Sequence, residues 1–214
     1  AGRTILVTAG ATREPLDPVR FLTNRSTGKM GYAVAEAARE RGARVILISA
    51  PTNLTPPSGV ELVAVNTAEE MYGAALEHYA ECDAVVKTAA VADYRPQARA
   101  EQKIKKEDGP LVLNLERNPD ILYELGQRKQ RQVLIGFAAE TENLEQYAEA
   151  KIRKKNLDLI VANDVTQEGA GFGTDTNVVT LLFADGRTVS LPQMTKREVA
   201  LQILDKLAEL LNNR

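Results

Sequence analysis

Apolar residues fall along the chain in short runs rich in Val, Ile and Leu, separated by segments in which they recur every three or four positions. That alternation predicts repeated strand–helix units. Thr4–Thr8, Arg44–Ser49, Glu61–Val65, Ala84–Thr88, Leu111–Glu116, Val133–Ala138 and Leu159–Asn163 read as strands, with helices over Gly28–Arg41, Thr67–Tyr79, Asp120–Gln127 and Asn143–Lys155. Near-continuous apolar strands belong to a sheet covered on both faces, so the pattern predicts an α/β fold, a Rossmann-like and mostly parallel sheet with helices on each side. Helix starts carry their own chemistry. Thr67-Ala-Glu-Glu70 and Thr195-Lys-Arg-Glu198 space a hydroxyl and a carboxylate as a capping box does, each serving a free amide of the first turn. Asn118-Pro119-Asp120 offers a cap, a first-turn proline and an acid at the positive end of a helix. Beyond Asn163 the rhythm breaks: Val178–Phe183, the Asp185-Gly186 turn and Thr188–Leu191 predict a C-terminal β-hairpin, either a sheet extension or a dimerising or lid element. The last helix, opening at Thr195, sets Val199, Ile203, Leu207 and Leu211 on one face.

Ala9–Thr27 and Ala89–Pro110 carry no element pattern, and connections of that length in a compact domain tend to be functional. Ligands of an open parallel sheet bind beyond the carboxyl ends of its strands, so both loops are expected to line one crevice. Thr8-Ala-Gly-Ala-Thr12 has the look of a dinucleotide turn, but the G-x-G-x-x-G run into a helix is missing. Ile48-Ser-Ala-Pro51 supplies no acid for a ribose at the end of the second strand. The phosphate loop of nucleoside triphosphatases fails too, because Met30 follows Gly28-Lys29 and Thr23 stands where its first glycine belongs. Asn24-Arg-Ser-Thr-Gly-Lys-Met-Gly31 suits an anion held on free helix amides, or equally a plain helix entry with Gly31 packed on a strand. Lys103-Ile-Lys-Lys106 suits a solvated turn, or a flap whose Lys103 closes on phosphates. Lys151, Arg153, Lys154 and Lys155 close a helix, where cations complement the dipole.

Composition narrows the classes. With 214 residues, 44% of them apolar and none in a membrane-length tract, the chain reads as one soluble domain over residues 1–214. The bare start Ala1-Gly2-Arg3 has no leader pattern and suggests a domain excised from a longer cytoplasmic protein. The single Cys82 leaves no disulfide or Cys-based zinc framework and fits a reducing compartment. A net charge of −2 argues against nucleic acid as partner, and 5% aromatic residues without Trp offer no stacking platform for single strands. The lone His78, read as mid-helix, has no Ser or Cys partner, which sets aside a His-based triad.

Taken in order, Thr12-Arg-Glu-Pro-Leu-Asp-Pro-Val-Arg20, Asn24–Gly31, Ala89-Ala-Val-Ala-Asp-Tyr94, Lys103–Lys106, Asn118-Pro-Asp-Ile121, Gly136-Phe-Ala-Ala-Glu140 and Ala162-Asn-Asp164 span nearly the whole chain. The ordered set resembles the bacterial phosphopantothenate cysteine ligase family, departing at Thr27, where that family often has a second Ser. The resemblance implies a ligase of coenzyme A biosynthesis that joins phosphopantothenate to L-cysteine through an acyl-cytidylate, consuming CTP with Mg²⁺ and releasing pyrophosphate and CMP. It also implies a homodimer, and commonly a flavin-dependent decarboxylase fused N-terminally. By the same resemblance Asn24 serves substrate binding and the second step, Lys103 is the catalytic cation on the triphosphate, and Arg20 and Ala89 hold phosphopantothenate. Lys87, Thr88, Ala89, Asp93, Asn118, Pro119, Asp120, Ile121 and Phe137 are carried over as nucleotide contacts, with Lys151 and Lys155 adding charge and the metal ligands left open. Two other classes compete: a short-chain NAD(P)-dependent oxidoreductase on the same fold, and a non-catalytic nucleotide-binding partner module whose lysines only dock. A buried Asn24 amide and a flap Lys103 facing one crevice would separate the ligase from the docking module.

Overall fold

The computed structural model describes residues 2–106, 108–140, 144–164, 171 and 173–213, apart from the side chains of residues 139, 140, 144–146 and 164. In chain order the elements are β1 (Thr4–Ala9), β2 (Arg13–Pro15), β3 (Phe21–Thr23), α1 (Lys29–Glu40), β4 (Arg44–Ser49), β5 (Glu61–Ala64) and α2 (Ala68–Tyr79). Then come β6 (Ala84–Lys87), β7 (Tyr94–Pro96), β8 (Leu115–Arg117), α3 (Ile121–Gln127), β9 (Val133–Glu140), α4 (Leu144–Lys155) and β10 (Leu159–Asp164). β11 (Thr176–Asn177), β12 (Val179–Phe183), β13 (Thr188–Ser190), β14 (Met194–Thr195) and α5 (Lys196–Asn212) complete the fold.

The main sheet has eight strands in the order β5-β4-β1-β6-β9-β10-β12-β13. Its first six strands are parallel, in the third-second-first-fourth-fifth-sixth order of a doubly wound sheet. The predicted hairpin adds β12 and β13 antiparallel at the far edge, so it extends the sheet. Successive strand residues point to opposite faces, which divides the core in two. Val7, Val45, Leu47, Val86, Ile135 and Val161 pack with α1 and α5; Leu6, Ile46, Ile48, Val85, Leu134 and Ile160 pack with α2, α3 and α4. Each such aliphatic side chain contributes about 1.5–3 kcal/mol on burial.

Local chemistry explains the helix starts, with two departures from expectation. At α5 both arms of the capping box form: Thr195 Oγ1 accepts from the Glu198 amide at 3.2 Å, and Glu198 accepts from the Thr195 amide at 2.7 Å. At α2 Thr67 caps the Glu70 amide as predicted, but Glu70 turns back to the amide of Asn66. At α3 the cap is Asp120, which accepts from the Tyr123 amide at 3.1 Å, so Asn118 and Pro119 lie ahead of the helix rather than capping and opening it. Asn118 is drawn away by the Ala92 carbonyl, to which its Nδ2 donates at 2.9 Å.

The strand expected over Leu111–Glu116 does not enter the main sheet. β6 and β9 pair directly, Ala84 opposite Val133, and leave it no place. Only Leu115–Arg117 pairs, antiparallel with Tyr94–Pro96, and Leu111 and Val112 stand 58% and 78% exposed. The first long loop likewise contains structure, the small hairpin of β2 and β3. Asn143, the expected first residue of α4, lies outside the described residues.

Candidate active site

The two long loops leave the sheet between β1 and β6, where the strand order reverses, and are stitched together there. The Ala89 amide donates to Thr8 Oγ1 at 3.2 Å, Thr88 Oγ1 to the Thr8 carbonyl at 2.6 Å, and the Ala92 amide to Thr12 Oγ1 at 2.9 Å. Around this seam lies a cleft of about 540 Å³ lined by Asn24, the 25–30 turn, Lys87–Val91, Asp93, Phe137, Lys151 and Asn177, among others. A narrower lobe of about 130 Å³ shares Lys87, Val91, Asp93, Phe137 and Lys151 with it and adds Asn118, Pro119, Asp120, Ile121 and Lys155. The expectation that both loops line one crevice at the carboxyl edge is met.

The narrow lobe lies on the α3–α4 side and is cationic. Lys87 donates to the Ala89 carbonyl at 2.9 Å; burial, reinforced by neighbouring Lys155, pulls its ammonium down to about 8. Lys155 pairs with Asp120 at 2.9 Å. Burial works against ionisation of Asp120, but the Lys155 hydrogen bond and the Tyr123 amide outweigh it and hold the carboxylate below its ordinary range. Asn118 Oδ1 is buried there without a hydrogen-bond partner among the described residues. Asp93, exposed at the junction of the two lobes, is the acid common to both.

Asn24 lines the wide lobe but is exposed rather than buried, its Nδ2 donating to the Ala90 carbonyl at 3.2 Å. Gly28, at the N-cap of α1, takes the left-handed conformation with no side chain capping the helix. Arg20 and Lys103 lie outside both lobes, and Lys103 is exposed. They are nevertheless linked through Asp17, a fully buried carboxylate. Asp17 accepts from Arg20 Nη2 at 2.6 Å and from the Ile104 amide at 3.1 Å, and the same Arg20 Nη2 donates to the Ile104 carbonyl at 2.8 Å. The Arg20 guanidinium, against the cost of burial, holds the Asp17 carboxyl far below the usual range. The lysine segment is thus latched to the Arg20 loop at the residue next to Lys103. Asp17→Asn should release it: tryptic cleavage at Lys103, Lys105 and Lys106 is expected to accelerate roughly tenfold, and unchanged protection would refute the latch.

Sequence reasoning missed part of the opposite wall: beside Lys29 and Met30, which belong to the Asn24–Gly31 motif, Asn177 from β11 and Lys196 from the start of α5 line the wide lobe. The capping box that identified α5 gave no sign that Lys196, the residue after its cap, turns inward. Cys82 and His78 lie elsewhere: Cys82 is buried, its thiol pushed up to about 12 chiefly by desolvation, and His78, in the last turn of α2, contacts Glu81 at 2.8 Å. Glu140 and Asp164, in two of the motifs above, have side chains outside the described set. Among the described residues no helix is long and apolar enough to cross a membrane.

A doubly wound sheet with a cationic crevice at its carboxyl edge places the chain among Rossmann-like α/β domains, a class that takes its ligands at that edge. The chain belongs to the DNA/pantothenate metabolism flavoprotein C-terminal domain family, whose sequence model matches residues 1–211. It is 55% identical over 98% of its length to the Coenzyme A biosynthesis bifunctional protein CoaBC of Bacillus subtilis, of which it covers 52%. The corresponding figures for CoaBC of Vibrio parahaemolyticus are 46%, 98% and 53%. The chain therefore spans about half the length of the curated relatives it matches. Among solved structures, the C-terminal domain of CoaBC superposes with a TM-score of 0.87 at 49% identity, covering 100% of this chain and 97% of that one. The DNA/pantothenate metabolism flavoprotein from Streptococcus pneumoniae gives 0.83 at 27% identity, covering 97% and 99%.

Proposed function

We propose that the chain ligates phosphopantothenate to L-cysteine through an acyl-cytidylate intermediate, consuming CTP and releasing pyrophosphate and CMP, as the ligase half of a bifunctional protein of coenzyme A biosynthesis. The observation that carries this reading is a crevice of two joined lobes, one narrow and cationic, the other wide and reached by Asn24. A ligase that activates an acid on a nucleotide and then passes it to an amine needs both compartments. The 49% identity to a CoaBC C-terminal domain supports the same reading. The oxidoreductase alternative lacks its fingerprint glycines and the acid that would end the second strand.

In the first step a carboxylate oxygen of phosphopantothenate attacks the α-phosphorus of CTP, and the bond to the β-phosphate breaks to release pyrophosphate. Charge neutralisation dominates such a transfer. Lys87, Lys151 and Lys155 supply it at the narrow lobe, with Asn118 to Ile121 around the nucleoside there, Thr88 and Ala89 contacting the nucleotide from the adjoining wide lobe, and Phe137 shared by both. Asn118 Oδ1, left without a partner, is an acceptor suited to an exocyclic amine such as that of cytosine. Asp93 fits a magnesium held by one carboxylate and phosphate oxygens, where the ion would spread the charge of the leaving group. Lys103 reaches the triphosphate when its segment leaves the Arg20 latch, and Arg20 and Ala89 then meet phosphopantothenate. In the second step the cysteine amine attacks the acyl carbonyl, the bond to the phosphate oxygen breaks, and CMP departs. Asn24 supplies an amide donor to the developing oxyanion. The apolar side chains exposed on the two small hairpins, Val19, Phe21, Tyr94, Leu111, Val112 and Leu115, support a homodimer.

Mass spectrometry of a reaction holding CTP, Mg²⁺, phosphopantothenate and L-cysteine tests the reading: one amide product should form per CMP released. Reduction of a nicotinamide cofactor, or binding of CTP with no amide, would favour the other classes. A pH-dependent consequence follows from Lys87. Its ammonium is pulled down to about 8, so above that pH the free chain holds it largely neutral, and a bound triphosphate raises its affinity for the proton. Nucleotide binding at roughly pH 9 should therefore take up a proton. Titration calorimetry in two buffers of different ionisation enthalpy checks this, and the buffer dependence should vanish in Lys87→Met.

A further inference from the structure

The wall facing the nucleotide lobe across the sheet edge holds groups that the roles above leave unused. Asn177 is 4% exposed; its Nδ2 lies 3.6 Å from the Met30 sulfur, and its Oδ1 has no hydrogen-bond partner among the described residues. A buried acceptor left in that state is destabilising unless a ligand satisfies it. Lys196 is 7% exposed, and its ammonium rests on backbone carbonyls alone, that of Thr174 and, at 3.5 Å, that of Gly171. Among the described residues no carboxylate contacts it. The nearby Asp175 is engaged by Lys29 at 2.7 Å and faces solvent. The wall therefore offers a buried cation with bonding capacity to spare beside a buried, unpartnered acceptor.

That pairing selects a ligand. A phosphate presents acceptors only and would set its lone pairs against Asn177 Oδ1. An α-amino acid carries an anion and an N–H donor on the same carbon. We infer that this wall is the subsite of the incoming α-amino acid, with Lys196 taking its carboxylate and Asn177 Oδ1 accepting from its amine. The inference rests on the ligase reading and assigns the place of its second substrate. An N–H held by Asn177 turns the nitrogen lone pair away from Oδ1, towards the acyl carbonyl. The N–C bond then forms, the acyl C–O bond breaks with its electron pair leaving on CMP, and the surplus amine proton passes to solvent. Met30 gives the wall a soft, polarisable surface beside a small thiol-bearing side chain.

Cysteamine, which is cysteine without the carboxylate, provides the test. The unaltered chain should use cysteine at least about tenfold better in kcat/KM, because a buried ammonium is left unanswered by cysteamine. In Lys196→Gln that preference should collapse towards one. Asn177→Leu should raise KM for cysteine roughly tenfold, whereas Asn177→Asp, which keeps the acceptor, should not. KM values for CTP and phosphopantothenate, read from pyrophosphate release, should stay in place. Equal use of cysteine and cysteamine by the unaltered chain overturns the inference without any variant. So does a rise in KM for CTP or phosphopantothenate in Lys196→Gln or Asn177→Leu, which would make the wall a phosphate subsite. Absence of pyrophosphate release from the unaltered chain is a different result, which removes the ligase reading itself.

Discussion

In an Asn24→Asp chain the acyl-cytidylate should form and accumulate while its transfer to cysteine slows by about 10²- to 10³-fold, the usual cost of losing one oxyanion donor. Asn24 projects from the turn between β3 and α1, and among the described residues its amide donates to the Ala90 carbonyl at 3.2 Å. Aspartate has the same shape but no N–H, and it places a negative charge where one develops. In the proposed mechanism activation depends instead on the lysines of the narrow lobe and on Lys103. Lys103→Gln should therefore lose pyrophosphate release itself, and Lys105 and Lys106 will compensate only if the segment closes loosely. Rapid quenching followed by mass spectrometry separates the two variants. Full ligation rates in both would show that the roles are misassigned even within the right family.

The largest effect on stability is expected at Gly31, in the first turn of α1. A Cβ there would lie 2.5 Å from Thr88 Oγ1, 2.6 Å from the Ala9 Cβ and 3.0 Å from the Thr8 carbonyl oxygen. Two of these neighbours belong to the central strand, so neither yields easily. Gly31→Ala should cost about 3 kcal/mol, the upper end for overpacking, and lower Tm by roughly 6–12 °C for a domain of this size. It should also weaken CTP binding, because Thr88 gives up its 2.6 Å bond to the Thr8 carbonyl, one of the links across the strand-order reversal. Gly73, on the exposed side of α2 with nothing within 4 Å of its Cβ, is the control. Gly73→Ala should stabilise by about 0.5–1 kcal/mol through helix propensity alone.

Strands β1, β4, β6, β9 and β10 were legible because burial on both faces writes an uninterrupted aliphatic run into the sequence. The α5 start was legible because a capping box is a local event, completed within four residues. Leu111–Glu116 misled for the converse reason: its residues carry strand propensity, but sheet membership is settled by whether β6 and β9 leave a gap, which is a tertiary fact. Asn118 misled because the Ala92 carbonyl, 26 residues away, competes for the side chain that would have capped the helix. The same distinction divides the site. The loops that build it could be found by their length and by the fold's reversal point, and the lysine ending α4 does reach the narrow lobe. Asn177 and Lys196 could not, since only the packing of α5 against α1 brings them beside Lys29 and Met30. The Asp17 latch joins residues 87 apart in sequence and leaves no periodic trace.

The central claim is that the crevice activates one particular acid on one particular nucleotide, and pyrophosphate release tests it most directly. The chain would be incubated with Mg²⁺ and each of the four nucleoside triphosphates in turn, with and without phosphopantothenate and with no cysteine present. Release is expected with CTP only, and only when phosphopantothenate is supplied. Release without the acid, or none under any of these conditions, would contradict it.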